Sequence, residues 1–118
     1  YASFSQESGM LKIKSNRNVV WVYRDDLLYL EVDSELKGNG KTKLQTKDYE
    51  YVITKSLNQL EDLLPECFVR ISRYCIINIR HIRFYDAGDQ VLFLNGIKDR
   101  HFGVGTAYKK YFADMMMK

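Results

Sequence analysis

The decisive stretch of this sequence is FVRISRYCIINIRHI, residues 68–82. Its valines and isoleucines favour β-strands. Extended to residue 85, the stretch contains no carboxylate and four arginines: Arg70, Arg73, Arg80 and Arg83. A single arginine of this kind is commonly a surface residue whose stem covers the core. Because a guanidinium group binds phosphate oxygens in a fixed fork, a run of four indicates a polyanion, with nucleic acid as the first partner to consider.

The composition fits one globular domain with much β structure. The chain has 118 residues, of which 46% are hydrophobic and 28% charged, which argues against disorder, collagen and coiled coils. Nine tyrosines and six phenylalanines favour pleated, half-buried surfaces. We expect one domain over residues 10–118, long enough to bury a core without disulfides. Residues 1–9 are interpreted as a linker or a remnant of cloning.

Charge is unevenly distributed along the chain. The formal net charge of +3 is shared by many proteins with unrelated roles. A second stretch without acids contains four lysines: Lys37, Lys41, Lys43 and Lys47. The acids gather in residues 25–35 and 61–66. This pattern predicts that basic and acidic faces separate in the fold.

Cysteines, histidines and apolar runs indicate the environment of the chain. Cys67 and Cys75 lack Cys-x-x-Cys spacing, and only two histidines accompany them, so we expect no metal site and no cofactor. Both cysteines are interpreted as reduced thiols of a cytoplasmic protein. No apolar run approaches the roughly 20 residues of a membrane helix, so this domain is expected to make no membrane contact.

Short strands are expected on both sides of residues 33–40, a polar loop containing Gly38 and Gly40. Before the loop, the pattern predicts three strands, of which the first two form a hairpin. Two further strands are predicted to flank the loop. These strands are Met10–Lys14, Val19–Tyr23, Leu27–Val32, Lys41–Thr46 and Tyr49–Ile53. Ser56 and Gln59 have the spacing of a capping box, which predicts a short helix ending near Pro65.

The C-terminal third predicts a hairpin, a last strand and a helix. Ile82–Tyr85 and Val91–Leu94 flank a turn signal, and Arg100–Val104 is expected as the last strand. Thr106 is the predicted cap of the closing helix. The apolar stripe of that helix is expected to contain five residues: Tyr108, Tyr111, Phe112, Met115 and Met116.

The sequence contains no set of residues in a pattern typical of a catalytic site. Gly103 and Gly105 lack the third glycine of a phosphate loop, and no nucleophile elbow is present. The paired acids at 25–26 and 61–62 are expected as solvated surface charges. We therefore expect that the domain is not an enzyme and has no catalytic residues.

Taken in order, these motifs resemble the LytTR domain, the LytR/AlgR-type DNA-binding module at the C-terminus of many bacterial response regulators. The resemblance covers roughly residues 10–112 and includes five motifs: DLLYLE (26–31), SLNQLE (56–61), FVRISR (68–73), IINIRHI (76–82) and LNG (94–96). It implies a mainly β fold, an elongated arrangement of small antiparallel sheets with two short peripheral helices. It also implies sequence-specific binding of double-stranded DNA at paired promoter repeats, with dimers on DNA, by a transcription regulator of a two-component system.

The resemblance also implies which residues contact DNA. Lys37 or Lys41 occupies the loop where the family reads bases, and Arg73 matches the arginine of the family's His-Arg-Ser block. Asn78 is expected to hold the turn after its strand. Residues 105–110 replace a Ser-Arg motif, so lysines are expected to supply phosphate contacts there. The full set of predicted DNA-binding residues is Lys37, Lys41, Lys43, Arg73, Arg100, Lys109 and Lys110.

Two other functions remain open at this point. The altered motif at residues 105–110 is compatible with a LytTR-like domain adapted to protein interaction or ligand sensing. The second is binding of single-stranded nucleic acid by stacking on exposed rings. The ring candidates are Tyr49, Tyr51, Tyr85 and Phe93.

Overall fold

The computed structural model describes residues 4–5, 9–15, 17–32 and 40–116. Within these ranges the chain forms three antiparallel sheets and two short helices, with principal extents of 42 × 35 × 26 Å. None of the helices in this part of the chain is long and apolar enough to cross a membrane. The predicted fold class, a mainly β and elongated arrangement of small sheets, is confirmed.

The N-terminal sheet has the strand order β1-β2-β3. Its strands are β1 (Phe4–Ser5), β2 (Met10–Lys14) and β3 (Val19–Tyr23). The predicted β2–β3 hairpin is confirmed, and the Ser15 N–H donates to the Asn18 carbonyl at 2.9 Å across its turn. Because β1 lies within residues 1–9, part of that segment pairs with the sheet, and its interpretation as a linker stays a prediction.

The central sheet has the strand order β6-β5-β4-β8-β7. Its strands are β4 (Leu27–Glu31), β5 (Thr42–Thr46), β6 (Glu50–Ile53), β7 (Phe68–Ser72) and β8 (Cys75–Asn78). β5 and β6 pair with each other across residues 47–49, so the expectation that they flank the loop at 33–40 is wrong. The Thr46 hydroxyl explains this tight connection, because it accepts a hydrogen bond from the Tyr49 N–H at 2.8 Å. Residues 33–39 lie outside the described ranges.

The C-terminal sheet has the strand order β11-β10-β9. Its strands are β9 (Ile82–Asp86), β10 (Val91–Leu94) and β11 (Phe102–Gly103). The β9–β10 hairpin is confirmed, and the Asp86 carboxylate accepts the N–H groups of Gly88 and Asp89 at 2.9 and 3.2 Å. The predicted last strand is shorter than expected, because only Phe102 and Gly103 pair with β10.

The two helices are α1 (Leu57–Glu61) and α2 (Lys109–Met116). The capping box of α1 is confirmed: the Ser56 hydroxyl accepts the Gln59 N–H, and the Gln59 side chain accepts the Ser56 N–H. Thr106 is not the cap of α2. A 3₁₀ turn over Thr106–Tyr108 precedes the helix, and that turn follows Gly105 without a side-chain cap.

The central sheet separates two apolar clusters. One lies between the central sheet, the N-terminal sheet and α1, and the other between the central sheet, the C-terminal sheet and α2. Burial on both faces explains why β8 is a continuous apolar run. Phe112 anchors α2, with its ring centre 5.1 Å from that of Tyr85. Tyr111 is 66% exposed, so its assignment to the apolar stripe is wrong.

Candidate functional site

Arg73 lies at the tip of the turn that joins β7 and β8. Ser72 and Cys75 pair across this turn, and the Ser72 hydroxyl accepts a hydrogen bond from the Tyr74 N–H at 3.1 Å. Arg73 is exposed, with its guanidinium 5.8 Å from the centre of the Tyr74 ring. No carboxylate of the described residues lies within ion-pair range of Arg73. Its charge is therefore available to an anion from solution.

Hydrogen bonds from the Arg70 side chain fix the backbone of the same turn. Its Nε donates to the Ser72 carbonyl and its Nη2 to the Arg73 carbonyl, both at 2.8 Å. Its Nη1 reaches the side chains of Asn58 and Glu61 on α1, each at 2.9 Å. The Arg70 side chain is only 11% exposed. Arg70 therefore joins the turn to α1 and leaves Arg73 pointing away from that contact network.

A groove of about 510 Å³ brings two of the predicted DNA-binding residues together. Lys41 and Arg73 both line it, although they are far apart in the sequence. Lys41 is exposed and immediately precedes β5. The other described lining residues come from the end of β4, the start of β5, the start of α1, the β7–β8 hairpin and the 3₁₀ turn: Val32, Gly40, Ser56, Leu57, Asn58, Arg70, Tyr74 and Tyr108.

The 3₁₀ turn is held against the end of β7. The Gly105 N–H donates to the Ile71 carbonyl at 2.7 Å. A Cβ at Gly105 would lie 3.4 Å from that carbonyl oxygen and 3.5 Å from the Ser72 Cα, so the turn packs in van der Waals contact with the end of β7. Lys109 and Lys110 follow this turn as the first residues of α2, with Lys109 half-buried and Lys110 exposed. The turn thus places both lysines in the chain segment beside the groove.

Lys43 and Arg100 are engaged elsewhere. Both approach Glu31, Lys43 Nζ at 3.8 Å from Oε1 and Arg100 through both carboxylate oxygens, with Nη1 at 2.9 Å from Oε1. The Arg100 guanidinium also lies 4.3 Å from the centre of the Phe102 ring. The hydrogen bond to Glu31 raises the pKa of Arg100. Their shared carboxylate offsets one of the two positive charges, through its closer contacts with Arg100, and their assignment to DNA stays a prediction. Lys37 lies outside the described residues.

The expected separation of basic and acidic faces is wrong. Arg80 lies 3.4 Å from Asp25 and Lys47 lies 3.7 Å from Asp26, so acids that are distant in the sequence meet the bases in space. No carboxylate in the described part of the chain lies within ion-pair range of Arg83, and its guanidinium lies 5.5 Å from the Phe93 ring centre. The basic residues therefore fall into two groups: those paired with a carboxylate, and those that have no such partner among the described residues.

Asn78 has the structural role expected from the sequence. It is fully buried, and its side-chain amide donates to the carbonyls of Arg24 and Leu27 at 3.1 and 3.0 Å. Its side-chain oxygen accepts the Arg80 N–H at 3.0 Å. These bonds fix the connection from β3 to β4 and the turn after β8.

The titratable groups of the described residues do not form a reactive centre. No group of three or more histidines, cysteines and carboxylates in this part of the chain could hold a metal ion. Cys67 and Cys75 are buried free thiols, and burial raises the pKa of each. His81 contacts the Asp25 carbonyl with its Nε2 and thereby ties the turn after β8 to the turn before β4.

Sequence reasoning missed the residues that support the turn. Arg70 is not among the predicted DNA-binding residues, and Glu61 is expected to be a solvated surface charge. The structure joins the two at 2.9 Å. A helix acid and a strand arginine have no fixed spacing that a sequence could reveal. The pairing depends on how α1 packs against β7.

Comparisons with known proteins agree with this architecture. A family model described as the LytTr DNA-binding domain matches residues 17–117. The Transcriptional regulatory protein LytR of Staphylococcus aureus strain N315 is 32% identical over 97 residues, covering 75% of this chain and 38% of that protein. LytR of strain NCTC 8325 / PS 47 has the same values. The chain thus spans 38% of the length of these curated relatives.

One solved structure shares the fold. It is described as the LytTr DNA-binding domain of a putative methyl-accepting/DNA response regulator from Bacillus cereus. Its TM-score with this chain is 0.71, with 24% sequence identity, over 92% of this chain and 96% of that one.

Proposed function

Because this chain belongs to the LytTr DNA-binding domain family, we propose that it binds double-stranded DNA in a sequence-specific manner and regulates transcription. In the full proposal it is the C-terminal output domain of a bacterial, cytoplasmic response regulator in a two-component system. It binds paired promoter repeats, as a dimer on the DNA. The similarity to LytR, a transcriptional regulatory protein, supports the regulatory role. The matching family model is described as a DNA-binding domain, and this description supports a function other than catalysis.

The observation that carries this proposal is the set of open cations around one groove. Lys41 and Arg73 line the groove, and Lys110 follows the 3₁₀ turn beside it. None of the three has a carboxylate in ion-pair range among the described residues. Cations from separate turns can follow a phosphate backbone, because each neutralises one phosphate and releases its counterion.

The residues divide into two roles in this proposal. Lys41, Lys109 and Lys110 contact phosphates and fix the position of the domain on the duplex. Arg73 enters the major groove, where its planar fork can donate to two acceptors of a guanine. Lys43 and Arg100 remain in the predicted set, but their ion pairs with Glu31 lower their expected contribution. Lys37 is a further base-reading candidate in the loop before Lys41.

The proposal is tested by selection from a random duplex library followed by titration of the enriched duplex at several salt concentrations. Three phosphate-binding cations predict that log K falls with log salt with a slope of about −2.7, at about 0.9 for each phosphate. Arg73→Ala should reduce affinity and lose the sequence preference. Arg83→Gln, at an exposed arginine of the C-terminal sheet, is the matched control. A library without an enriched sequence, or an affinity independent of salt, contradicts the proposal.

The second candidate is binding of a protein or ligand without DNA reading. A larger groove, about 950 Å³, favours it, since the apolar side chains of Leu64, Tyr111 and Met115 line this groove between α1, β7 and α2. A melting temperature that shifts with a ligand screen but not with duplex DNA would support this candidate over DNA binding.

A further inference from the structure

The outer face of the β2–β3 hairpin is unusual for an exposed sheet surface. Val19, Trp21 and Tyr23 of β3 point away from the core and are 40%, 59% and 52% exposed. We call Trp21 and Tyr23 the ring row. Lys12 and Lys14 of β2 are exposed on the same face and form the lysine row. The sequence of residues 9–24 contains no carboxylate.

The two rows lie side by side in register. Lys12 pairs with Trp21 across the ladder, and Lys14 pairs with Val19. The Lys12 ammonium lies 5.0 Å from the centre of the Trp21 ring. Alternate residues of a strand are separated by about 6.7 Å, and neighbouring strands by about 4.8 Å. The face therefore presents one line of rings and, beside it, one line of positive charges with the same period.

From this arrangement we propose that the outer face of the β2–β3 hairpin binds single-stranded nucleic acid. Bases stack on Trp21 and Tyr23, and phosphates of the same strand contact Lys12, which lies beside Trp21, and Lys14, one step further along β2. Stacking on exposed rings combined with a positive track is the general way in which proteins hold single strands. This function is separate from duplex binding at the groove and uses none of its residues.

The two parallel rows favour a single strand over other occupants. An extended peptide directs only every second side chain at the surface on which it lies, so one peptide offers one row of contacts. A single strand offers two rows, bases and phosphates. A duplex keeps its bases stacked and leaves the rings without partners. A second copy of the same face would place Lys12 and Lys14 against like charges.

The earlier expectation placed stacking elsewhere. It relied on Tyr49, Tyr51, Tyr85 and Phe93, but Tyr85 packs against Phe112 in the core and Phe93 is half-buried beneath Arg83. Tyr49 is 65% exposed and, with Tyr51, lines a crevice of about 180 Å³ next to Trp21 and Tyr23. Tyr49 can therefore extend the stacking surface at the edge of β3.

Trp21 provides a direct assay, because it is the only tryptophan of the chain. An oligothymidylate of about 12 nucleotides, a length within the usual range of such sites, should quench its fluorescence with a saturable isotherm. The duplex of equal length and inorganic polyphosphate should leave the fluorescence unchanged at the same phosphate concentration. If polyphosphate quenches as strongly, charge alone acts and stacking is wrong. If poly-glutamate quenches and the oligonucleotide does not, the face binds acidic protein instead.

Variants separate this site from the groove. Tyr23→Ser should weaken oligothymidylate binding about tenfold, the order expected for one lost base stack, and Lys12→Gln should weaken it and reduce its salt dependence. Tyr111→Ser removes an equally exposed ring on α2 and is the matched control. Arg73→Ala should leave oligothymidylate binding intact while weakening duplex binding. Unchanged affinity in Tyr23→Ser and Lys12→Gln would overturn the proposal whether or not the duplex binds.

Discussion

Replacing Arg70 by methionine removes the contacts of the β7–β8 turn while keeping an apolar stem of similar length. Two bonds from the guanidinium to the Ser72 and Arg73 carbonyls are lost, both at 2.8 Å. Hydrogen bonds to a charged group contribute about 1.5–3 kcal/mol each, and carbonyls in an exposed turn can bind water instead, so the lower value applies. The pair with Glu61, whose side chain is 46% exposed, adds less than about 1 kcal/mol. We expect the free energy of unfolding to fall by about 3 to 4 kcal/mol.

The same substitution should weaken duplex binding without changing its salt dependence. In Arg70→Met the backbone of one turn residue becomes free and must be ordered again on binding. This ordering costs about 1–2 kcal/mol, which corresponds to an affinity loss of about tenfold. Arg70 is not proposed to contact a phosphate. The slope of log K against log salt should therefore stay unchanged in Arg70→Met, whereas Lys110→Gln should reduce its magnitude by about 0.9.

Urea denaturation and fluorescence anisotropy with a selected duplex measure the two effects separately. Arg70→Lys keeps the charge but lacks the planar fork, so it should lose most of the same stability. Glu61→Gln is the milder control and should lose less than about 1 kcal/mol. A reduced salt slope in Arg70→Met would show that Arg70 itself binds phosphate. A stability loss below about 1 kcal/mol in that variant would refute the argument that Arg70 fixes the turn.

Three further outcomes follow from buried or compensated groups. Asn78→Ala should lower the free energy of unfolding in urea by about 2–4 kcal/mol, because three buried hydrogen bonds are lost. Arg100→Gln should change the salt slope of duplex binding by much less than about 0.9 in the anisotropy assay, because both carboxylate oxygens of Glu31 already contact Arg100. Burial raises the pKa of Cys75 above its ordinary value of 9.0, because the folded state favours the neutral thiol. The free energy of unfolding therefore keeps its full value below that pH and falls as the pH rises beyond it. Urea unfolding from about pH 8 to 10 should show this decline, and Cys75→Ala should flatten it.

The local signals of the fold were readable from the sequence because each depends on neighbouring residues. The β2–β3 hairpin and the capping box of α1 involve contacts within a few positions, and both are confirmed. The order of the central sheet is different. β4 pairs with β8 across more than forty residues, and no local pattern indicates that pairing. Thr106 failed as a cap because the 3₁₀ turn is held by the Ile71 carbonyl, a contact from another element.

The candidate site was predictable in its position but not in its charges. Lys41 and Arg73 were expected from the family pattern, and the structure brings them to one groove. The separation of basic and acidic faces failed because residues distant in the sequence meet through sheet pairing. Glu31 lies opposite Lys43 in the β4–β5 ladder, which places the carboxylate beside a lysine of the acid-free stretch.

This charge pairing decides which cations can drive association with a polyanion. A cation held by a carboxylate must exchange that partner for a phosphate, so it gains little Coulomb energy and releases no additional counterion. Arg100, with two contacts to Glu31, belongs to this class, and so does Arg70 with Glu61. Among the described residues no carboxylate holds Arg73 or Lys41 in an ion pair, so neither needs such an exchange. A net charge of +3 therefore understates the attraction at Arg73 and Lys41, because the described acids compensate other cations, including Arg70 in the same groove.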